Sequence, residues 1–178
     1  MNNKRHLTVK DTITIGVLAG MCAIATSLKI PLGVGAMVHL GTAFMFTVAI
    51  IMGGVYAGLS AAIGSAFFDL LMGFSPYTPW SFFIKGIAGL LAGAIAHGLW
   101  PQESSLDLGA NRHWLLRAIT GCLVAALWTL GGYLLAWWQV TGSLAVAFSN
   151  IPASLLTSGV GLLVALFLAP RLRKALKR

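Results

Sequence analysis

The chain has 178 residues, of which 58% are hydrophobic and 9% charged, and its formal net charge is +8. Ordinary soluble domains are about 25% charged, so this composition selects the bilayer as solvent over a soluble helical fold. The positive charge does not point to nucleic acid, because it lies in clusters that flank apolar runs: Lys4, Arg5 and Lys10, then Arg112 and Arg117, then Arg171, Arg173, Lys174, Lys177 and Arg178.

The first predicted helix covers 11–28 and is broken by Pro31 and Gly33. A basic start followed by an apolar run also fits a cleaved signal peptide. The further membrane segments downstream favour a helix that is kept. It carries two small-residue pairs, Gly16-x-x-x-Gly20 and Ala19-x-x-x-Ala23. The second segment, 40–52, has about 14 apolar residues where about 20 are needed to cross the hydrocarbon. It is therefore expected to be tilted, broken or extended by the stretch before it, LKIPLGVGAMVHLG. That stretch is either a structured loop dipping over a site or a plain connection. Non-helical backbone at membrane depth is tolerated where it lines a cavity.

Gly53 and Gly54 turn the chain into the third segment, 55–72, where Gly54, Gly58, Ala62, Ser65 and Asp69 recur at steps of three and four. The fourth, 79–99, opens on Pro79, suited to a first helical turn, and carries Gly86, Gly89 and Gly93. A polar stretch from Gln102 to His113 follows, then segments 114–138 and 150–168, then Pro170 and the basic tail. Small side chains let helices approach closely in lipid. A small-residue ridge either packs inside the bundle or, facing outward, docks another membrane protein. The expected fold is an all-α membrane protein, a bundle of six transmembrane helices in one domain. Six crossings place both termini on one side. All of the 12 Lys and Arg except Lys29 and Lys85 fall there, so both ends are expected in the cytoplasm of a multi-pass cell-membrane protein.

No Gly-rich loop ending in Gly-Lys-Ser/Thr is present, so the chain is not expected to hydrolyse ATP itself. No metal-ligand spacing and no nucleophile beside a base appear, and neither catalysis nor a cofactor is expected. Cys22 and Cys122 read as small buried hydrophobes. His97 reads as an interface histidine. Asp69 and Lys85 stand apart, since a charge at membrane depth is costly unless it faces protein, water or a partner. Their helices are joined only by FSPYTP, so they are neighbours. The pair either fixes the hairpin as an ion pair or faces a polar pocket, and the two readings are compatible. His39, Tyr77, Trp80, Trp137, Trp138, Gln139 and Asn150 fall at the same level. Aromatic residues there anchor the bilayer edge or wall a pocket for a flat ligand. The ligand candidates are Lys85, Asp69, His39, Tyr77, Trp80, Trp138, Gln139 and Asn150.

The run LGTAFMFTVAIIMGGVYAGLSAAIGSAFFDLLMGFSPYTPWSFFIKGIAGLLAG, residues 40–93, resembles the substrate-binding S components of energy-coupling factor (ECF) vitamin transporters. Within them it is similar to the hydroxymethylpyrimidine and pyridoxine group. The resemblance implies a six-helix bundle that binds a small water-soluble vitamin near the extracellular side. It also implies docking on a transmembrane T component driven by two cytoplasmic ATPases, with the S component toppling in the lipid to carry its ligand inward. An alanine motif that contacts the T component falls on Ala19 and Ala23. The gating loop falls on 29–41, and the family's lysine and acidic residue fall on Lys85 and Asp69. Thr78-Pro79 replaces the usual Ala-Pro entry to the fourth helix, and Trp80 is bulkier than usual. A standalone secondary carrier and a structural membrane protein are the other classes compatible with the chain. Flavin, biotin, a deazapurine and pantothenate are further ligands that the polar cluster could suit.

Overall fold

The structure, a computed structural model, describes residues 7–31, 37–100 and 113–176. The tip of the 29–41 loop, the polar stretch up to 112, and the outer basic residues Lys4, Arg5, Arg112, Lys177 and Arg178 lie outside the described residues. The elements in order are α1 (Val9–Ser27), a hairpin of β1 (Lys29–Pro31) and β2 (Met37–His39), α2 (Gly41–Met52), α3 (Gly54–Leu71), a 3-10 turn (Ser75–Tyr77), α4 (Thr78–Ala96), α5 (Trp114–Thr141), α6 (Leu144–Ser149) and α7 (Ile151–Leu176). Thr8 opens α1 with a capping box, its hydroxyl accepting from the Asp11 N–H at 3.2 Å while its own N–H donates to the Asp11 carboxylate at 2.9 Å.

Among the described residues, five helical stretches are long and apolar enough to cross a membrane. Their outer faces carry Ile13, Val17, Phe83, Leu127, Leu163 and Phe167, all exposed. Such a surface is stable in lipid rather than water. The second expected segment, α2, has 12 residues, about 18 Å at 1.5 Å per residue, well short of the hydrocarbon thickness. It needs no lipid contact. It packs against α1, α3, α4 and α7, and Gly41–Ile51 is buried throughout except at Phe44. α2 is therefore a central strut whose environment is protein. Two other elements depart from expectation. Helix α4 stops at Ala96, with Gly98 at φ 115° just beyond. The last helix continues through Pro170 to Leu176, because a membrane helix loses only one hydrogen bond to a proline and its neighbours compensate.

The glycines set how closely α3 and α4 approach. A Cβ on Gly89 would stand 2.6 Å from the Ala57 backbone, and one on Gly93 would stand 2.4 Å from Gly54 N. At the turn, the first N–H groups of α3 find carbonyls beyond the end of α4: Gly54 donates to Gly98 at 2.9 Å and Val55 to Leu99 at 3.0 Å. This ridge is thus internal. So is Ala19-x-x-x-Ala23: both alanines are buried, and a Cβ on Gly64 of α3 would lie 2.6 Å from the Ala19 carbonyl oxygen. The expectation that Ala19 and Ala23 face a partner is corrected here. The outward face of α1 carries Ile13, Gly16, Val17, Gly20, Met21 and Ile24 instead.

At the end of the bundle where α1 begins and α7 ends, polar groups tie the helices together. Tyr56 donates to the Asp11 carboxylate, joining α3 to α1, and Arg173 of α7 donates to the Ile50 carbonyl of α2. Arg173 Nη2 also lies 2.9 Å from His97 Nδ1. His97 is thus buried in the fold rather than placed at a bilayer interface. Burial, and then the Arg173 charge, push its pKa down to about 4, so it accepts the arginine hydrogen bond as the neutral ring.

Candidate ligand-binding site

The opposite end of the bundle contains a cavity of about 120 Å³. A single water needs about 10–15 Å³ of such space, so the cavity has room for several waters. Five elements supply its polar wall, and helical phase selects the residues. On α4, Tyr77 in the preceding turn, Ser81 and Lys85 repeat every fourth residue, as do Thr129, Tyr133 and Trp137 on α5. On α7, Ser154, Thr157 and Ser158 share one face. The end of α3 adds Ser65, Phe68 and Asp69, and α2 adds Thr42.

Lys85 sits at the centre of this wall and is buried. Its Nζ donates to Thr42 Oγ1 at 3.0 Å and lies 5.5 Å from the centre of the Tyr133 ring. The Tyr133 hydroxyl in turn shares a 3.0 Å hydrogen bond with Ser81 Oγ. Asp69 is 8% exposed, and its Oδ2 has no hydrogen-bond partner. Sequence leaves an ion pair and a polar pocket both open for these two groups. In the structure both line the cavity, the ammonium bonds to Thr42 of the buried central helix, and the Asp69 Oδ2 oxygen has no partner.

The hairpin covers one side. Lys29 pairs with His39 across the two strands, which fixes His39 at the cavity wall. His39 Nδ1 accepts from the Gly41 N–H at 3.2 Å. Burial, then the charges of Lys85 and Lys29, hold its pKa down at about 3, so the ring is neutral and its Nε2 carries the proton. The exposed Lys29 ammonium lies 5.2 Å and 5.7 Å from the ring centres of Phe68 and Phe74, two rings of the wall. Across the cavity mouth, Tyr77 and Trp137 contact each other with ring centres 4.8 Å apart and planes at 49°.

Of the eight residues expected at a ligand, Lys85, Asp69, His39, Tyr77 and Asn150 line the cavity, whereas Trp80, Trp138 and Gln139 do not. The reason is helical phase. On α5 the inward residue is Trp137, and Trp138 and Gln139 follow one and two steps around, both exposed. On α4, Trp80 precedes the inward Ser81 and misses the cavity. Asn150 ends α6, its amide donating to the Val146 carbonyl at 2.9 Å. Thr42, Ser65, Ser81, Thr129, Tyr133 and the serines of α7 also line the cavity and are not among the eight expected ligand residues. The four-residue repeat of Tyr77, Ser81 and Lys85, matched by Thr129, Tyr133 and Trp137, was the available signal. Among the described residues, no group of His, Cys, Asp and Glu could hold a metal ion.

A family model described as "ECF-type riboflavin transporter, S component" matches residues 6–176. No curated protein matches the chain.

Proposed function

Because the chain belongs to the family of S components of ECF-type riboflavin transporters, we propose that it is the substrate-capture subunit of an ATP-driven importer. Its cavity would hold a small water-soluble vitamin or vitamin precursor. The observation that carries this reading is the cavity itself: a buried lysine and a buried carboxylate turned to one space, walled by aromatic rings, in a chain that otherwise presents apolar faces to lipid. Nothing in that wall resembles a nucleophile with its base, so the work of the site is binding.

The family's name points to a flavin, and the run 40–93 resembles carriers of hydroxymethylpyrimidine and pyridoxine. All three are flat rings with polar edges, suited to the Tyr77–Trp137 pair and the hydroxyl-rich wall. With both termini in the cytoplasm, as the basic clusters imply, the cavity lies toward the outside and captures ligand there. The β1–β2 hairpin, which carries His39, is the gate. Energy then comes from a T component and its two ATPases, engaged through the exposed Gly16 and Gly20 face of α1.

Titration of the purified protein against riboflavin, hydroxymethylpyrimidine, pyridoxine and other water-soluble vitamins tests the reading. Binding of one of them in the nanomolar range is expected. Absence of binding across the panel, together with failure to assemble with a co-expressed T component, would leave a structural role as the better account. Uptake that survives inactivation of the ATPases would instead favour a standalone carrier.

A further inference from the structure

The end of the bundle away from the cavity carries charge that ligand capture does not use. Among the described residues, Lys10 on α1, Arg117 on α5, and Arg171 and Lys174 on α7 are exposed there, whereas the cavity end exposes Lys29 alone. The charges of α5 and α7 meet around the end of α4. Arg117 Nε donates to the Ile95 carbonyl of α4 at 3.1 Å, and Arg173, which lies between Arg171 and Lys174 in sequence, approaches His97 just beyond α4 to 2.9 Å. The described acid at this end, Asp11, is buried and already accepts from Tyr56 and Thr8. It does not neutralise the exposed cations.

Two of these arginines stand at the boundary with lipid. The Arg171 guanidinium lies 3.3 Å from the centre of the Phe167 ring and donates to the Phe167 carbonyl at 2.9 Å, and that ring is itself exposed on the outer face of α7. Arg117 follows the exposed Leu116 in the first turn of α5. The helix dipole disfavours a cation in that turn, and the turn holds no acidic residue, so α5 itself does not account for the charge. Trp100 and Trp114 pack at the same end, and tryptophans favour the headgroup level of a bilayer. A guanidinium has five N–H donors. Each of the two arginines gives one to a backbone carbonyl, which orients the fork and leaves most of its donors for another partner.

We propose that this end of the bundle docks anionic phospholipid headgroups of the adjoining leaflet, their phosphates held by Arg117 and Arg171, with Lys10 and Lys174 adding attraction. The planar fork matches a phosphate through paired hydrogen bonds. A lipid fits better than a free phosphate, because the exposed Leu116, Leu163 and Phe167 offer apolar faces to acyl chains beside the charges. The proposal is independent of the cavity and of what the cavity binds.

The test measures binding of fluorescent phosphatidylglycerol and phosphatidylcholine, matched in acyl chains, to the full chain in mild non-ionic detergent by anisotropy. Phosphatidylglycerol should bind more tightly, and the preference should shrink as salt rises from about 50 to about 500 mM. Each basic residue removed should weaken phosphatidylglycerol binding about fivefold, so Arg117→Gln with Arg171→Gln should lose roughly 30-fold. Lys29→Gln removes the same charge at the other end and should change nothing. Thermal transitions check folding, and the single glutamine variants carry the test if the double variant does not fold. Equal binding of the two lipids overturns the proposal and favours an acidic protein surface as the partner. Unchanged affinity in the folded arginine variants, or an equal loss in Lys29→Gln, also overturns it. So does inorganic phosphate that displaces the labelled lipid as well as unlabelled phosphatidylglycerol does, which would mark a site for free anions.

Discussion

Replacing Lys85 by methionine removes one charge while keeping most of the side-chain volume. In the folded protein the ammonium is buried, donates to Thr42 Oγ1 at 3.0 Å and lies near the Tyr133 ring. Loss of the lysine leaves the Thr42 hydroxyl on the cavity wall, where water can take the donor's place, so it costs little. Relief from burying a charge offsets that cost, and swaps of buried charges for apolar groups are often neutral or stabilising. Ligand affinity should respond quite differently. A hydrogen bond from a charged donor contributes about 1.5–3 kcal/mol, and Asp69 would be left as the only charge in the cavity lining. Affinity for the preferred ring should therefore fall roughly 10- to 150-fold. The assay is calorimetric titration of wild type and Lys85→Met side by side, with thermal unfolding as the control for folding. A folded variant with unchanged affinity refutes the placement of Lys85 at the ligand.

Helical phase on α5 separates two adjacent tryptophans. Trp137→Ala should weaken ligand binding about tenfold or more by removing one face of the stack, and Trp138→Ala should leave the titration unchanged, since that ring is exposed outside the cavity. On α1, Gly16→Leu with Gly20→Leu should preserve ligand binding but reduce co-purification with a co-expressed T component. Ala19→Leu should lower thermal stability, because its Cβ faces the closely packed α3. The pH dependence follows from His39, whose pKa is held at about 3, below the ordinary 6.5. The unfolded chain then takes up the proton first, so its contribution to stability is full above pH 6.5 and is lost as pH falls toward 3. His97 has the same sign, so the difference between wild type and His39→Asn in thermal scans from pH 7.5 to about 4 isolates the effect. Stability of the variant should fall less steeply with acid.

Composition and charge clusters were enough to reveal the membrane class, and the small-residue steps of α3 and α4 already marked a close helix pair. Asp69 and Lys85 were legible as one site because a six-residue connection leaves their helices no choice but to be neighbours. Their actual partners were not legible. Thr42 lies 43 residues from Lys85 and reaches it only because α2 is buried at the centre of the bundle. Arg173 is 76 residues from His97 in the same way. The two ridges of α1 have identical spacing, and only the position of Gly64 decides that Ala19 and Ala23 face inward while Gly16 and Gly20 face outward. Trp137 and Trp138 differ by one step of 100°, which composition cannot resolve. In each case the deciding information is a tertiary contact.

The account stands or falls on small-molecule capture in this one cavity. Native mass spectrometry of the protein released from mild detergent, with and without the Lys85→Met substitution, tests it most directly. The account predicts a single adduct of vitamin size on the wild type that is lost from the folded variant. An adduct retained equally by both, or none after incubation with every water-soluble vitamin, would contradict it.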